Sequence, residues 1–161
     1  MNDSDKFALG NQAYELAKNY ELDFGCCPQC VLAAVQETVG GVTPEVIKAS
    51  HGLSGGGGLM GMGTCGALSG GLLALSTKRG RDRDKFARGK FIANFRVGEE
   101  LVRYFREQFG GVTCQELQQC FTGKTYDMWD ARQYAEFNDK RGDQCARATA
   151  LVTKWVVEKL A

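Results

Sequence analysis

Apolar residues recur along this chain at spacings of three and four, the period of one helix face, and no sustained strand-type alternation appears. Phe7, Leu9, Tyr14, Ala17 and Tyr20 outline a first helix over about 5–22, with Ser4 placed to cap it. Pro28 suits the first position of a second helix, which buries Val31, Ala34 and Val35 and stops at Gly40-Gly41. Thr43-Pro44-Glu45 opens a short helix to about Ala49. Thr64 caps a helix that closes on Lys78, Arg79 and Gly80, residues that suit a helix C-terminus. Residues 84–109 form the longest periodic stretch, with Phe91, Phe95, Val102, Phe105 and Phe109 in register and Gly89 and Gly98 interrupting it. Thr113 and Glu116 make a capping box for a short helix to about Phe121. Residues 125–139 are ambiguous, with Tyr126, Trp129, Tyr134 and Phe137 on one helical face. Asp143 caps a last helix over about 144–160, which buries Ala148, Leu151, Val152, Trp155 and Val156. The pattern predicts an all-α fold, an irregular bundle of about six helices in a single domain spanning 1–161.

One stretch breaks the pattern. Between His51 and Ser76 the chain carries ten of its 21 glycines, all from Gly52 to Gly71, and one thiol, Cys65. Glycine permits positive φ and close approach to the backbone at an entropic cost of roughly 0.5–1 kcal/mol each. A flexible linker would be more polar, whereas this one contains Leu53, Leu59, Met60 and Met62. A loop that wraps a bound group explains it better, with Gly55, Gly56, Gly57, Gly63 and Gly66 offering N–H groups and close contact. Gly61 to Gly66 matches G-x-G-x-x-G, but no strand precedes it, and no Gly-Lys-Ser/Thr follows.

Composition narrows the function. Twenty basic and 19 acidic residues give a net charge of +1, no general drive toward nucleic acid or anionic lipid. No apolar run reaches the roughly 18–20 residues of a membrane span, and the polar start MNDSDKFALG predicts no secretion signal. The expectation is a cytoplasmic protein with reduced thiols. Tyr104 and Phe86, on the outer side of the long segment, leave room for a homodimer contact.

Seven cysteines, an odd number in a reducing compartment, point to metal binding or redox chemistry rather than a disulfide scaffold. Cys27, Cys65, Cys114 and Cys145 each fall in the first turn of a different predicted helix. A helix N-terminus offers free N–H groups and partial positive charge, which lower a thiol's pKa. Four converging thiolates among N–H donors suit an iron–sulfur cluster, [2Fe–2S] or [4Fe–4S]. Cys30 lies one turn from Cys27 and can point the same way, so Cys26 and Cys30 stay open as ligands, Cys30 most plausibly in place of Cys145. Cys120 lies near a helix C-terminus, where the dipole disfavours a thiolate. Cys27-Pro28-Gln29-Cys30 lacks the βαβ context of thioredoxin, the second CxxC of a zinc ribbon and the His of CxxCH haem attachment. The only histidine, His51, flanks the glycine loop and reads as a hydrogen-bonding residue. Two rivals to the cluster are a metal-free thiol–disulfide protein using Cys27 with Cys30 or Cys65, and a non-redox helical module whose cysteines hold a structural metal.

The order Cys27, Gly63-Thr64-Cys65-Gly66-Ala67-Leu68-Ser69-Gly70, Cys114, Cys145 resembles the C-GCAxxG-C-C family of redox-active proteins, over about residues 20–158. Its members are small proteins, largely of anaerobic bacteria and archaea. Cys27-Pro28-Gln29-Cys30-Val31-Leu32 matches the family's first pattern, and Cys26, Cys30 and Cys120 are additional. The family name reads Gly-Cys-Ala where this chain has Cys65-Gly66-Ala67. The family is similar to part of the split-Soret cytochromes, which implies a cysteine-bound iron–sulfur cluster and electron exchange with a partner protein, without assigning an enzymatic reaction.

Overall fold

A computed structural model describes all of residues 1–161. Eight α-helices follow one another: α1 Asp3–Phe24, α2 Cys27–Val39, α3 Pro44–Ala49, α4 Gly66–Arg79, α5 Ile92–Phe109, α6 Cys114–Thr122, α7 Ala131–Arg141 and α8 Gln144–Leu160. Two 3-10 turns, Ser50–Leu53 and Arg83–Arg88, complete the regular structure, and no strand forms. The fold is all-α as the periodicity predicts, with more helices than about six. Part of the difference lies in residues 84–109. Gly89 at φ 144° and Phe91 at φ 52° break that stretch into the second 3-10 turn and α5. The ambiguous stretch yields α7, which starts only at Ala131 because Asp130 caps it through the N–H groups of Arg132 and Gln133.

The core lies among α2, α4, α5 and α8. Val31, Leu32 and Val35 meet Leu68 and Leu75, Leu101 and Phe105, and Val152 and Val156, all fully or almost fully buried. Burying side chains of this size stabilises by about 1.5–3 kcal/mol each, which is what fixes the four helices against one another. The first turn of α5 is not part of this core, since Ile92 and Phe95 are exposed, and the helix joins it from Val97 onward.

α1 packs along α8 on a face that the large apolar residues do not mark. Its buried positions are Gly10, Ala13, Ala17 and Glu21, while Phe7 is exposed. Small residues win there because α8 comes close: a Cβ at Gly10 would stand 2.7 Å from Glu158 Oε1. The cap of α1 is Asn2 rather than Ser4, with Asn2 Oδ1 accepting from the Asp5 N–H at 2.8 Å. No helix is long and apolar enough to cross a membrane.

Candidate metal centre

The starts of α2, α4, α6 and α8 carry the four first-turn cysteines. The chain leaves α1 through Gly25 and Cys26, both with positive φ (68° and 65°). A left-handed non-glycine residue costs on the order of 1–2 kcal/mol, so the surrounding packing must impose it at Cys26. The tight reversal starts α2 at Cys27 and lets its thiol donate to Oε1 of Glu21, in the last turn of α1, at 3.5 Å.

Cys65 and Cys114 are fastened to one another's approach segments. The Cys65 N–H donates to Val112 O at 2.7 Å, and the Cys114 N–H donates to Gly63 O at 3.1 Å. This short antiparallel pairing, centred on Thr64 and Thr113, sets the starts of α4 and α6 side by side. The cap position of α4 falls on Cys65 rather than Thr64. The capping box of α6 forms as predicted: the Glu116 N–H donates to Thr113 Oγ1, and the Glu116 carboxylate accepts from the Thr113 N–H at 2.9 Å.

Two glycines make the approach possible. A Cβ at Gly66 would stand 2.8 Å from Pro28 Cδ and 3.3 Å from Cys27 Cβ, so only a bare backbone lets α4 start against α2. Gly56, at φ 78°, would put its Cβ 2.9 Å from Gly63 O and 3.0 Å from Cys114 Cβ.

The four thiols then share one cavity. Cys27, Cys65, Cys114 and Cys145 all line it, with Cys26, Glu21 and Arg141. Its free volume is about 70 Å³. A water needs roughly 10–15 Å³ by the same measure, so the space exceeds that of a single small ion. No three His, Cys, Asp or Glu side chains converge closely enough to hold one metal ion.

The family described as "Putative redox-active protein (C_GCAxxG_C_C)" matches residues 25–159. The chain belongs to this family. No curated protein and no solved structure was found similar to it.

In this member of the family each cavity thiol has a polar neighbour of its own. Cys27 meets Glu21; Cys114 Sγ accepts from Nε2 of the fully buried Gln118 at 3.5 Å; Cys145 meets the Arg141 guanidinium; and Cys65 faces the N–H groups of Ala67 and Leu68. Gln118 is itself fixed, because its Oε1 accepts the Tyr126 N–H at 2.8 Å. These partners are invisible to motif reading. Glu21 could have been found, because it continues the Ala13–Ala17 row at intervals of four; Gln118 stands four residues after Cys114 and Arg141 four before Cys145.

The electrostatics correct one expectation. Helix N-termini were expected to lower the thiol pKa values, but burial dominates and raises them. Cys65 is pushed up to about 12 by burial, against which the Ala67 and Leu68 N–H groups act without prevailing. Cys145 rises to about 11, again through burial, with Arg141 opposing. Burial raises Cys114, and it raises Cys27 far above the ordinary thiol range, with the Glu21 carboxylate adding to it. Glu21, only 5% exposed, is itself raised by burial, and its Oε2 has no hydrogen-bond partner.

The remaining candidates lie as follows. Cys26 lines the cavity, and its thiol reaches the His51 carbonyl at 3.8 Å. Cys30 does not line it: its thiol donates to Gly25 O at 3.0 Å, and it faces an outer groove with His51. Cys120 is exposed on the last turn of α6. Gly55 and Gly66 line the cavity, while Gly56, Gly57 and Gly63 stand outside its lining. Most N–H groups of the loop are spent on the loop itself, as in Gly58 to Gly52 O and Gly61 to Gly55 O, both 2.8 Å.

Proposed function

We propose that this chain is an iron–sulfur electron-transfer protein in which Cys27, Cys65, Cys114 and Cys145 hold the cluster. The observation that carries the proposal is the gathering of four thiols, distant in sequence and each from the start of a different helix, around one cavity. The donor set fits the group: thiolates are its ordinary ligands, and the cavity they line is larger than one ion. A bound cluster supplies a couple that accepts and releases single electrons.

The chain's own residues prepare the site. Loading requires the four thiols to lose their protons. Glu21 Oε1 already accepts the Cys27 thiol hydrogen bond, so it stands where that proton leaves. Gln118 donates to Cys114 Sγ, and hydrogen bonds of this kind tune cluster potentials. Gly55 and Gly66 let backbone rather than side chains close the cavity. The electron partner is a second protein, exchange takes place in a reducing compartment, and the family's largely anaerobic setting suits a thiolate-bound cluster.

The dithiol alternative finds less support. Cys27 and Cys30 face different spaces, so of its two pairs only Cys27 with Cys65, which share the cavity, stands as a rival, and that pair leaves Cys114 and Cys145 without a role. The visible spectrum of anaerobically purified protein separates the readings. The proposal predicts broad bands at the blue end that bleach with dithionite, together with bound iron and acid-labile sulfide. A colourless protein whose thiol count changes with reductant would instead establish the dithiol, and a colourless zinc protein the structural metal.

A further inference from the structure

Arg141 is a cation placed among the cavity thiols. It ends α7 and lines the cavity together with Cys145, Cys27 and Glu21. It also lines an outer cleft with Glu21, Gly25, Tyr134 and Asn138, so it forms part of the wall between cavity and surface. None of the protein's ion pairs includes it. Its visible support is packing on the Phe137 ring, 5.1 Å from the centroid. A guanidinium partly drawn out of water without an ion-pair partner loses hydration with little Coulombic return. The only carboxylate lining the cavity, Glu21, has Oε2 buried and unpartnered, so it is not fork-paired with Arg141. That imbalance disappears when the cavity holds an anion, and four thiolates around an iron–sulfur core make one.

We propose that Arg141 is the counter-charge of the anionic cluster and sets its reduction potential. This rests on the iron–sulfur reading above. Reduction adds one electron, supplied in the assay by dithionite, which is oxidised; no protein bond forms or breaks. The added negative charge is favoured by a cation in the cavity wall, so removing that cation disfavours the reduced form.

The test is a redox titration of wild type, Arg141→Gln and Arg141→Lys, with iron and sulfide content measured alongside. Arg141→Gln should lower the equilibrium constant for reduction at least tenfold, about 59 mV toward negative potential for a one-electron couple. Arg141→Lys keeps the charge and should recover most of that shift. Loss of iron in Arg141→Gln with retention in Arg141→Lys would support the same role. Equal potentials in wild type and Arg141→Gln, or equal shifts or equal iron loss in both variants, would overturn it while leaving the four-thiol site standing. A wild-type chain that takes up neither iron nor sulfide would sink both.

Discussion

At the scale of single residues, the site depends on what is absent as much as on what is present. Gly66 has no side chain where Pro28 and Cys27 press closest, so Gly66→Ala forces the starts of α2 and α4 apart. Overpacking of this kind costs about 1–3 kcal/mol. A lower denaturant midpoint, together with reduced iron uptake, is the expected outcome; unchanged values in both would mean that the close approach is dispensable. The thiols themselves differ sharply in access. Cys120 is exposed and the other six are buried or partly buried. In cluster-free native protein one thiol, Cys120, should react with a bulky maleimide well before the rest, as mapped by peptide mass spectrometry. Rapid labelling of Cys65 or Cys145 would contradict the burial that holds them as neutral thiols.

At the scale of elements, each cysteine is only as well placed as the helix start that carries it. Cys114 has the best-defined start, a complete capping box plus the pairing with Gly63. Thr113→Ala should therefore destabilise by about 1 kcal/mol, within the 0.5–2 kcal/mol range of lost caps. Chemical denaturation measures it directly, and a change under about 0.3 kcal/mol would show that the cross-pairing alone holds α6. The four cysteines were legible in the sequence because each adjoins a local signal: Pro28 after Cys27, Thr64 before Cys65, Thr113 before Cys114, Asp143 near Cys145. Those signals are short-range, and so is their reach. Asp143 occupies the cap position of α8 without making a side-chain cap, pairing instead with Lys18 of α1 at 3.4 Å. The face of α1 was misjudged because small residues, not large ones, meet α8. Glu21 and Arg141 act on thiols carried by other helices, and Gln118 on a thiol one turn back in its own, and no cysteine motif marks any of the three. Burial outweighing the N-terminal dipole at the thiols has the same origin: the depth of a site belongs to the packed bundle.

At the scale of the whole molecule, the starts of four helices, α2, α4, α6 and α8, come together around one cavity. The 3.6-residue period made the all-α class legible, and the break at Gly89 to Phe91 concealed how many helices there are. Convergence makes the site a property of the assembled fold, so loading it should stabilise the whole domain, as any ligand of the native state does. Thermal unfolding of loaded protein should come at a higher temperature than that of protein stripped by a chelator under reducing conditions. The most direct test of the central claim is the iron and sulfide content of single serine variants at all seven cysteines. Replacing Cys27, Cys65, Cys114 or Cys145 should each remove most bound iron, whereas Cys120→Ser and Cys30→Ser should keep it, since neither side chain lines the cavity. Full iron in Cys145→Ser together with loss in Cys30→Ser would replace the fourth ligand and contradict the cavity's arrangement; full iron in every variant would remove the cluster from the account.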